Sequence, residues 1–399
     1  MVNQLSSNSR WPLYGLLIVQ LLNGIVLMPS NNFIPIYLNE TMDLPVRQVA
    51  QVIAFGQVVG MFASLVGGGL SDRWGHKRVL TLGIVATALS GFAFVFRVPW
   101  IVVALWGVSG AGLGFATLSS QGYLTLAASA HTLGLFSALY NWGYTIGGAI
   151  GNPIAAVILD RGDFTILGFA LVGLGLFTTL FAAILPSIHQ KTDEAEPGTS
   201  VGSYKSLLNG RIALLGLLRF LPTCYYGLMV LLPLLIKQQG GSNTAVAWYA
   251  AGSAIIASLT QLVAGRMSDR WGVRYPTVIS FIVILLAIGG TIITAQSVWG
   301  LYIFGAFGVS AAWALSTLLP GMVTVAAEPD IHGRVFGMLH LLWTFAMMLG
   351  TLLGGALLEI NIRLPFIIVG VLNLIALGLT VPFFETKLWQ KQKALTDAL

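Results

Sequence analysis

Apolar runs of about 20 residues, each separated from the next by a short polar break, recur along the whole length of this chain. As α-helix, at about 1.5 Å per residue, one such run crosses the roughly 30 Å hydrocarbon layer of a bilayer. Hydropathy and turn residues predict twelve spans, at 11–37, 47–70, 78–96, 99–125, 133–158, 164–186, 209–236, 244–267, 276–295, 298–326, 334–358 and 364–384. A large soluble core does not account for them. A soluble chain carries roughly a quarter charged residues, whereas here 9% are charged and 56% hydrophobic. The fold class expected is all-α and integral to the membrane, with twelve transmembrane helices.

One long polar segment interrupts the series. From His189 to Lys205 the sequence HQKTDEAEPGTSVGSYK has the Pro, Gly, Ser and acidic content of a flexible linker. It predicts an N-terminal six-helix bundle over 1–188, a cytoplasmic linker over 189–207 and a C-terminal six-helix bundle over 208–399. The short polar N-terminus leads into a first span longer than a signal-peptide core, which is read as retained.

The positive charges predict orientation. With the N-terminus inside, 14 of the 20 Lys and Arg fall in cytoplasmic segments and 5 on the opposite side, with Arg219 within a span. Such a bias places both termini in the cytoplasm, which for this chain means a multi-pass protein of the cell (inner) membrane. It also explains the net charge of +6 without nucleic acid. The lone cysteine, Cys224, excludes an internal disulfide and a Cys-based metal site.

The chain repeats itself. SDRWG occurs at Ser71 and again at Ser268, 197 residues later, and HTLGLFSALYN ending at Asn141 aligns with DIHGRVFGMLH ending at His340, 199 residues later. Two landmarks duplicated in the same order imply two homologous six-span bundles, related as parallel repeats. The run G-x-L-S-D-R-x-G-x-K from Gly68 resembles the loop 2–3 signature of the major facilitator superfamily, and the copy from Gly265 resembles its weaker duplicate. What the resemblance implies is a pseudo-symmetric pair of six-helix bundles that transports by alternating access, with a drug- or metabolite-efflux type of subfamily. It further implies a gating role for Gly68, Asp72, Arg73, Gly75, Lys77, Asp269 and Arg270. In that role Asp72 meets the positive end of span 11 and holds the cytoplasmic side closed. Arg78, by contrast, fits a purely topological charge as well.

Two further segments bear on direction and coupling. In span 5, Gly143, Gly147 and Gly151 stand four apart with Pro153 beyond. This is a partial match to the glycine-rich span 5 motif of the family's antiporters, in which Asn152 intervenes and Ala155 and Ala156 replace glycines. Close helix packing explains the spacing nearly as well as export does. In span 4, WGVSGAG puts Trp106 where those antiporters carry an arginine linked to proton transfer.

Ionisable groups inside spans are costly and mark function by default, and two qualify. Arg219 lies about nine residues into span 7, roughly 13 Å along a helix, and His340 about seven into span 11. Gln20 and Asn141 stand 199 residues before them. In this architecture the transport cavity lies between the halves at mid-depth, so these four, with Trp142, Trp343 and Tyr226 as ring-stacking groups, are the expected substrate-binding residues. Helix–helix hydrogen bonding fits Gln20 and Asn141 equally well. For Arg219, snorkelling to the interface competes over about two turns. His340, whose imidazole titrates ordinarily at about 6.5, is the candidate proton-coupling group, a satisfied buried ring being the alternative.

A permanent guanidinium with no carboxylate in the spans favours an anionic or electronegative solute. No nucleotide-binding loop or metal-ligand pattern is present, so neither ATP hydrolysis nor an enzyme is expected, and no cofactor or metal is called for. The function expected is a secondary transporter, monomeric in the bilayer, that exports a small organic molecule against protons. An uncoupled facilitator or organic-anion importer is the alternative within the class, and a signalling or assembly protein on a transporter scaffold the alternative outside it.

Overall fold

A computed structural model of the chain describes residues 11–128, 133–188, 210–328 and 331–385. Within them the secondary structure is helical, and twelve helices are long and apolar enough to cross a membrane. They follow the expected spans closely. In chain order they are α1 (Trp11–Ile36, continued by a π-turn over Tyr37–Thr41), α2 (Val46–Trp74), α3 (His76–Leu89, closed by a 3₁₀ turn over Ser90–Phe94), α4 (Pro99–Ala127), α5 (Leu133–Arg161) and α6 (Phe164–Ile184). The expected linker over 189–207 lies outside the described residues, and from residue 210 come α7 (Gly210–Met229), the short α8 (Leu232–Gln238), α9 (Asn243–Trp271), α10 (Arg274–Ile293), α11 (Val298–Ala326), α12 (His332–Leu358) and α13 (Leu364–Phe384).

The seventh span is divided into α7 and α8 for a local reason. Pro233 has no N–H to offer the Met229 carbonyl, so the helical ladder breaks there and Leu231 N–H turns to the Leu228 carbonyl at 3.0 Å. Side chains such as Leu286 and Ile293 are 68% and 79% exposed, as helices made for hydrocarbon rather than water require.

Tertiary contacts divide the chain into two compact units. Among the described residues the first comprises 11–45, 52–188 and 241–254, and the second comprises 46–51, 210–240 and 255–385. In the first unit the main pairings are α1 with α5, α3 with α4, α3 with α6 and α1 with α6. The second unit repeats them as α7 with α12, α10 with α11, α10 with α13 and α7 with α13. The repeat first visible as SDRWG is therefore a repeat of packing.

The α5 glycines serve the first of these pairings. A Cβ on Gly143 would lie 3.3 Å from the Leu17 carbonyl oxygen, one on Gly147 would overlap that of Leu21, and one on Gly151 would lie 2.5 Å from that of Ile25. The stripe lets α5 ride on successive turns of α1, backbone on backbone. Ile25 is also the carbonyl that Pro29, lacking an N–H, leaves without its helical donor. Next to the stripe, the fully buried Asn152 accepts from Asn32 Nδ2 at 2.9 Å and donates to the Gly148 carbonyl at 2.7 Å.

Each SDRWG copy ends its helix in the same way. Gly75 and Gly272 have φ of +86° and +77°, and their N–H groups return to the Ser71 and Ser268 carbonyls at 2.9 Å each. Positive φ is a backbone conformation that glycine adopts without steric cost. Open space surrounds both, so the motif's final glycine is required by backbone conformation.

Candidate functional site

The second unit gathers the intramembrane ionisable groups. Arg219 projects from α7, four residues before Thr223, whose hydroxyl donates to the Arg219 carbonyl at 2.6 Å. Its Nη1 donates to Ser316 Oγ of α11 at 2.8 Å, and its guanidinium carbon sits 5.8 Å from the ring centre of Trp343 on α12. One turn before Trp343, the His340 ring stacks on the indole with centroids 5.8 Å apart and planes at 25°. Three helices thus meet around one cation.

The cation is incompletely satisfied. Among the described residues Arg219 Nε is buried without a hydrogen-bond partner, and a buried donor left unmade costs about 1–3 kcal/mol, more for a charged group. Ser316 and the Trp343 face hold the guanidinium in one orientation, with Nε left unpaired among the described residues. The arrangement suits an anionic group. His340 is exposed beside it.

An aromatic pair stands in the same unit. Tyr226 of α7 and Trp313 of α11 meet edge to face, with centroids 6.0 Å apart and planes at 88°. Trp313 lies one turn before Ser316, and Thr317, next to Ser316, donates to Gln261 Oε1 of α9 at 3.2 Å. The unit offers a guanidinium, a hydroxyl, an imidazole, a side-chain amide and three aromatic rings.

The remaining expected binding residues belong to the first unit. Gln20 is half-buried on α1, its Cβ 3.7 Å from where a Cβ on Gly143 would be. Asn141 is exposed and Trp142 half-buried on α5. Trp106, in the place of the family antiporters' arginine, is 6% exposed. A Cβ on Gly56 of α2 would lie 2.7 Å from its Cδ1, so its indole serves packing of α4 on α2.

Of the loop residues, Asp72 and Arg73 are exposed, Gly68 and Lys77 half-buried, and Asp269 and Arg270 exposed. The first loop is pinned to its own unit by Ser71 Oγ, 3.0 Å from Ser119 Oγ of α4.

Sequence reasoning missed Ser316, Gln261 and the Asn32–Asn152 pair. A signal for Ser316 was present: it stands 199 residues after Thr117, the same offset that relates Arg219 to Gln20.

Twelve membrane-spanning helices in two repeated packing units, with polar groups clustered within the spans, define a secondary transporter of the two-repeat helical type. The chain belongs to the Major Facilitator Superfamily, whose model matches residues 16–243 and again 220–394. It is 25% identical over 359 residues to the protein called "Uncharacterized MFS-type transporter YcaD" of Salmonella arizonae, covering 86% of this chain and 85% of that one. The protein of the same name from Salmonella enteritidis is 24% identical over 365 residues, covering 87% and 88%. Among solved structures, the nucleoside transporter NupG superposes with a TM-score of 0.74 and a point mutant of it with 0.78, each at 16% identity over 94% of this chain and all of the other. That likeness carries the fold.

Proposed function

We propose that this transporter moves a small organic anion, that Arg219 binds the anionic group, and that transport is proton-coupled through His340 in the direction of export. The observation that supports the reading most is the buried Nε of Arg219 without a partner, in a guanidinium already held by Ser316 and Trp343. A cation introduced only for packing would have its donors satisfied within the protein. Arg219 is instead positioned and left one donor short.

The stacked His340 supplies the proton step. His340 stacks on the same Trp343 ring that faces the Arg219 guanidinium, so proton and substrate act at one place without a carboxylate in the spans. Export follows the span 5 resemblance, and its three glycines have a packing role in addition. The protein on this reading is a monomer in the cell (inner) membrane with both termini in the cytoplasm, the orientation the Lys and Arg bias favours. An uncoupled organic-anion facilitator is the second reading, favoured by the lack of any Asp or Glu within the spans.

The test is a panel of charge-matched pairs, such as benzoate and benzamide, offered to proteoliposomes. Selective flux of the carboxylates supports the assignment. Equal flux of each pair sinks it.

A further inference from the structure

The two SDRWG loops differ at the residue that follows them. In the second unit Val273 is buried and seats on Gly321 of α11, where a Cβ would lie 3.3 Å from Val273 Cγ2. In the first unit the same seat is Gly122 of α4, and its occupant is His76. A Cβ on Gly122 would overlap the imidazole at Cε1 and Nδ1 and lie 3.0 Å from Nε2. The occupants are 197 residues apart and the seats 199, the offsets of the internal repeat. A place that one repeat fills with a hydrocarbon side chain is filled in the other by a titratable ring.

The seat suits the ring only while it is uncharged. His76 Nδ1 is buried and has no hydrogen-bond partner among the described residues. A neutral imidazole tolerates that with its proton on Nε2, but a charged one would press an N–H into a place with no acceptor. His76 is also the first residue of α3, at the positive end of the helix, and Arg73, Lys77 and Arg78 share its loop. From α4 no charged group faces it: residues 117–127 hold no Asp, Glu, Lys or Arg, and Tyr123 donates its hydroxyl to the Pro186 carbonyl at 2.8 Å. Among the described residues, the group whose charge favours a protonated ring is Asp72, in the last turn of α2.

We propose that His76 is a proton switch on the side that the Lys and Arg distribution assigns to the cytoplasm: uncharged, its ring is seated on Gly122, and on taking a proton it leaves the seat and pairs with Asp72. The proton comes from water, binds at Nδ1 and is released when the ring returns. No other bond changes. In the second repeat Val273 makes the seat permanent, so only the first loop responds to pH. The consequence for transport rests on the gating role that the family resemblance implies for Asp72. Pairing with His76 would occupy that carboxylate, and an acid cytoplasm would loosen the closed state of that side. The switch itself does not depend on Arg219 or on the identity of the solute.

The test uses the full chain in lipid nanodiscs with its five histidines labelled at Cε1 and followed by NMR against pH. His76→Val identifies the His76 signal and, by analogy with Val273, keeps the seat filled. The expected result is two environments for His76, one above and one below a transition. Asp72→Asn should lower the pH of that transition by about one unit, because it removes the charge that draws the protonated ring. Gly122→Ala should abolish the seated environment at every pH. A single environment that titrates identically in the wild type and Asp72→Asn overturns the proposal, and it does so whether or not Gly122→Ala folds.

Discussion

Replacing Arg219 by glutamine tests the site most quantitatively. The side chain contributes one free donor at Nε, one hydrogen bond at 2.8 Å to Ser316 and a cation–π contact at 5.8 Å to Trp343. A charged hydrogen bond to a bound anion is worth about 1.5–3 kcal/mol, which at about 1.4 kcal/mol per decade is roughly a 10- to 150-fold loss of affinity. The other two contacts belong to positioning. Ser316→Ala and Trp343→Leu should each weaken anion binding by several fold, the cation–π contribution being about 0.5–2 kcal/mol. Arg219→Lys keeps the charge but loses the planar fork and the stack, so it should fall between the wild type and Arg219→Gln. Binding of benzoate and of benzamide to purified protein, by calorimetry across this series, separates the terms. The carboxylate should follow the predicted order while the amide changes by no more than about twofold, within the scatter of distant substitutions. Equal losses for both ligands would refute an anion-binding role for Arg219 and leave it a structural cation.

Four further predictions concern the scaffold. Gly147→Ala should lower the melting temperature by the equivalent of about 1–3 kcal/mol, because the added methyl overlaps the Leu21 carbonyl. Gly69→Ala, with open space around it, should be neutral or slightly stabilising in the same melt. Gly75→Ala and Gly272→Ala should each cost about 1–2 kcal/mol, since both positions have positive φ. Equal melting of these variants and the wild type would contradict the capping role. Asn152→Ala leaves Asn32 without its side-chain partner and should cost about 1–3 kcal/mol, read by thermal unfolding in detergent and recovered in part when Asn32→Leu is added.

Much of the fold was legible because bilayer thickness and backbone hydrogen bonding permit few alternatives. Hydropathy placed the spans and the doubled SDRWG announced two repeats, whereas the break at Pro233 in the seventh span, expected as one run over 209–236, went unread. The final glycine of that motif was visible as a residue but not as a positive-φ helix end, since positive φ is a property of the backbone path. The spacing of Gly143, Gly147 and Gly151 signalled close approach but could not name Leu17, Leu21 and Ile25 as what they approach. Helical periodicity orders residues around one helix and says nothing about which face of which neighbour it meets.

The site was legible in part for the same reason. Charge alone singled out Arg219 and His340, because ionisable groups are rare in spans, and both lie with Trp343 in the second unit. Ser316 was missed because a single hydroxyl in an apolar helix commonly bonds its own backbone, as Ser310 does to the Ala306 carbonyl at 2.6 Å. Only its distance to Arg219 distinguishes it. Asn152 looked like a defect in a glycine motif and is a buried partner of Asn32.

On the proposed function, one site couples an organic anion to protons. Benzoate flux into proteoliposomes, measured with and without an imposed pH gradient in the wild type and in His340→Ala, tests it directly. The account predicts gradient-driven flux in the wild type and gradient-independent flux in the variant. Wild-type flux that ignores the gradient, or a variant that still follows it, would contradict it.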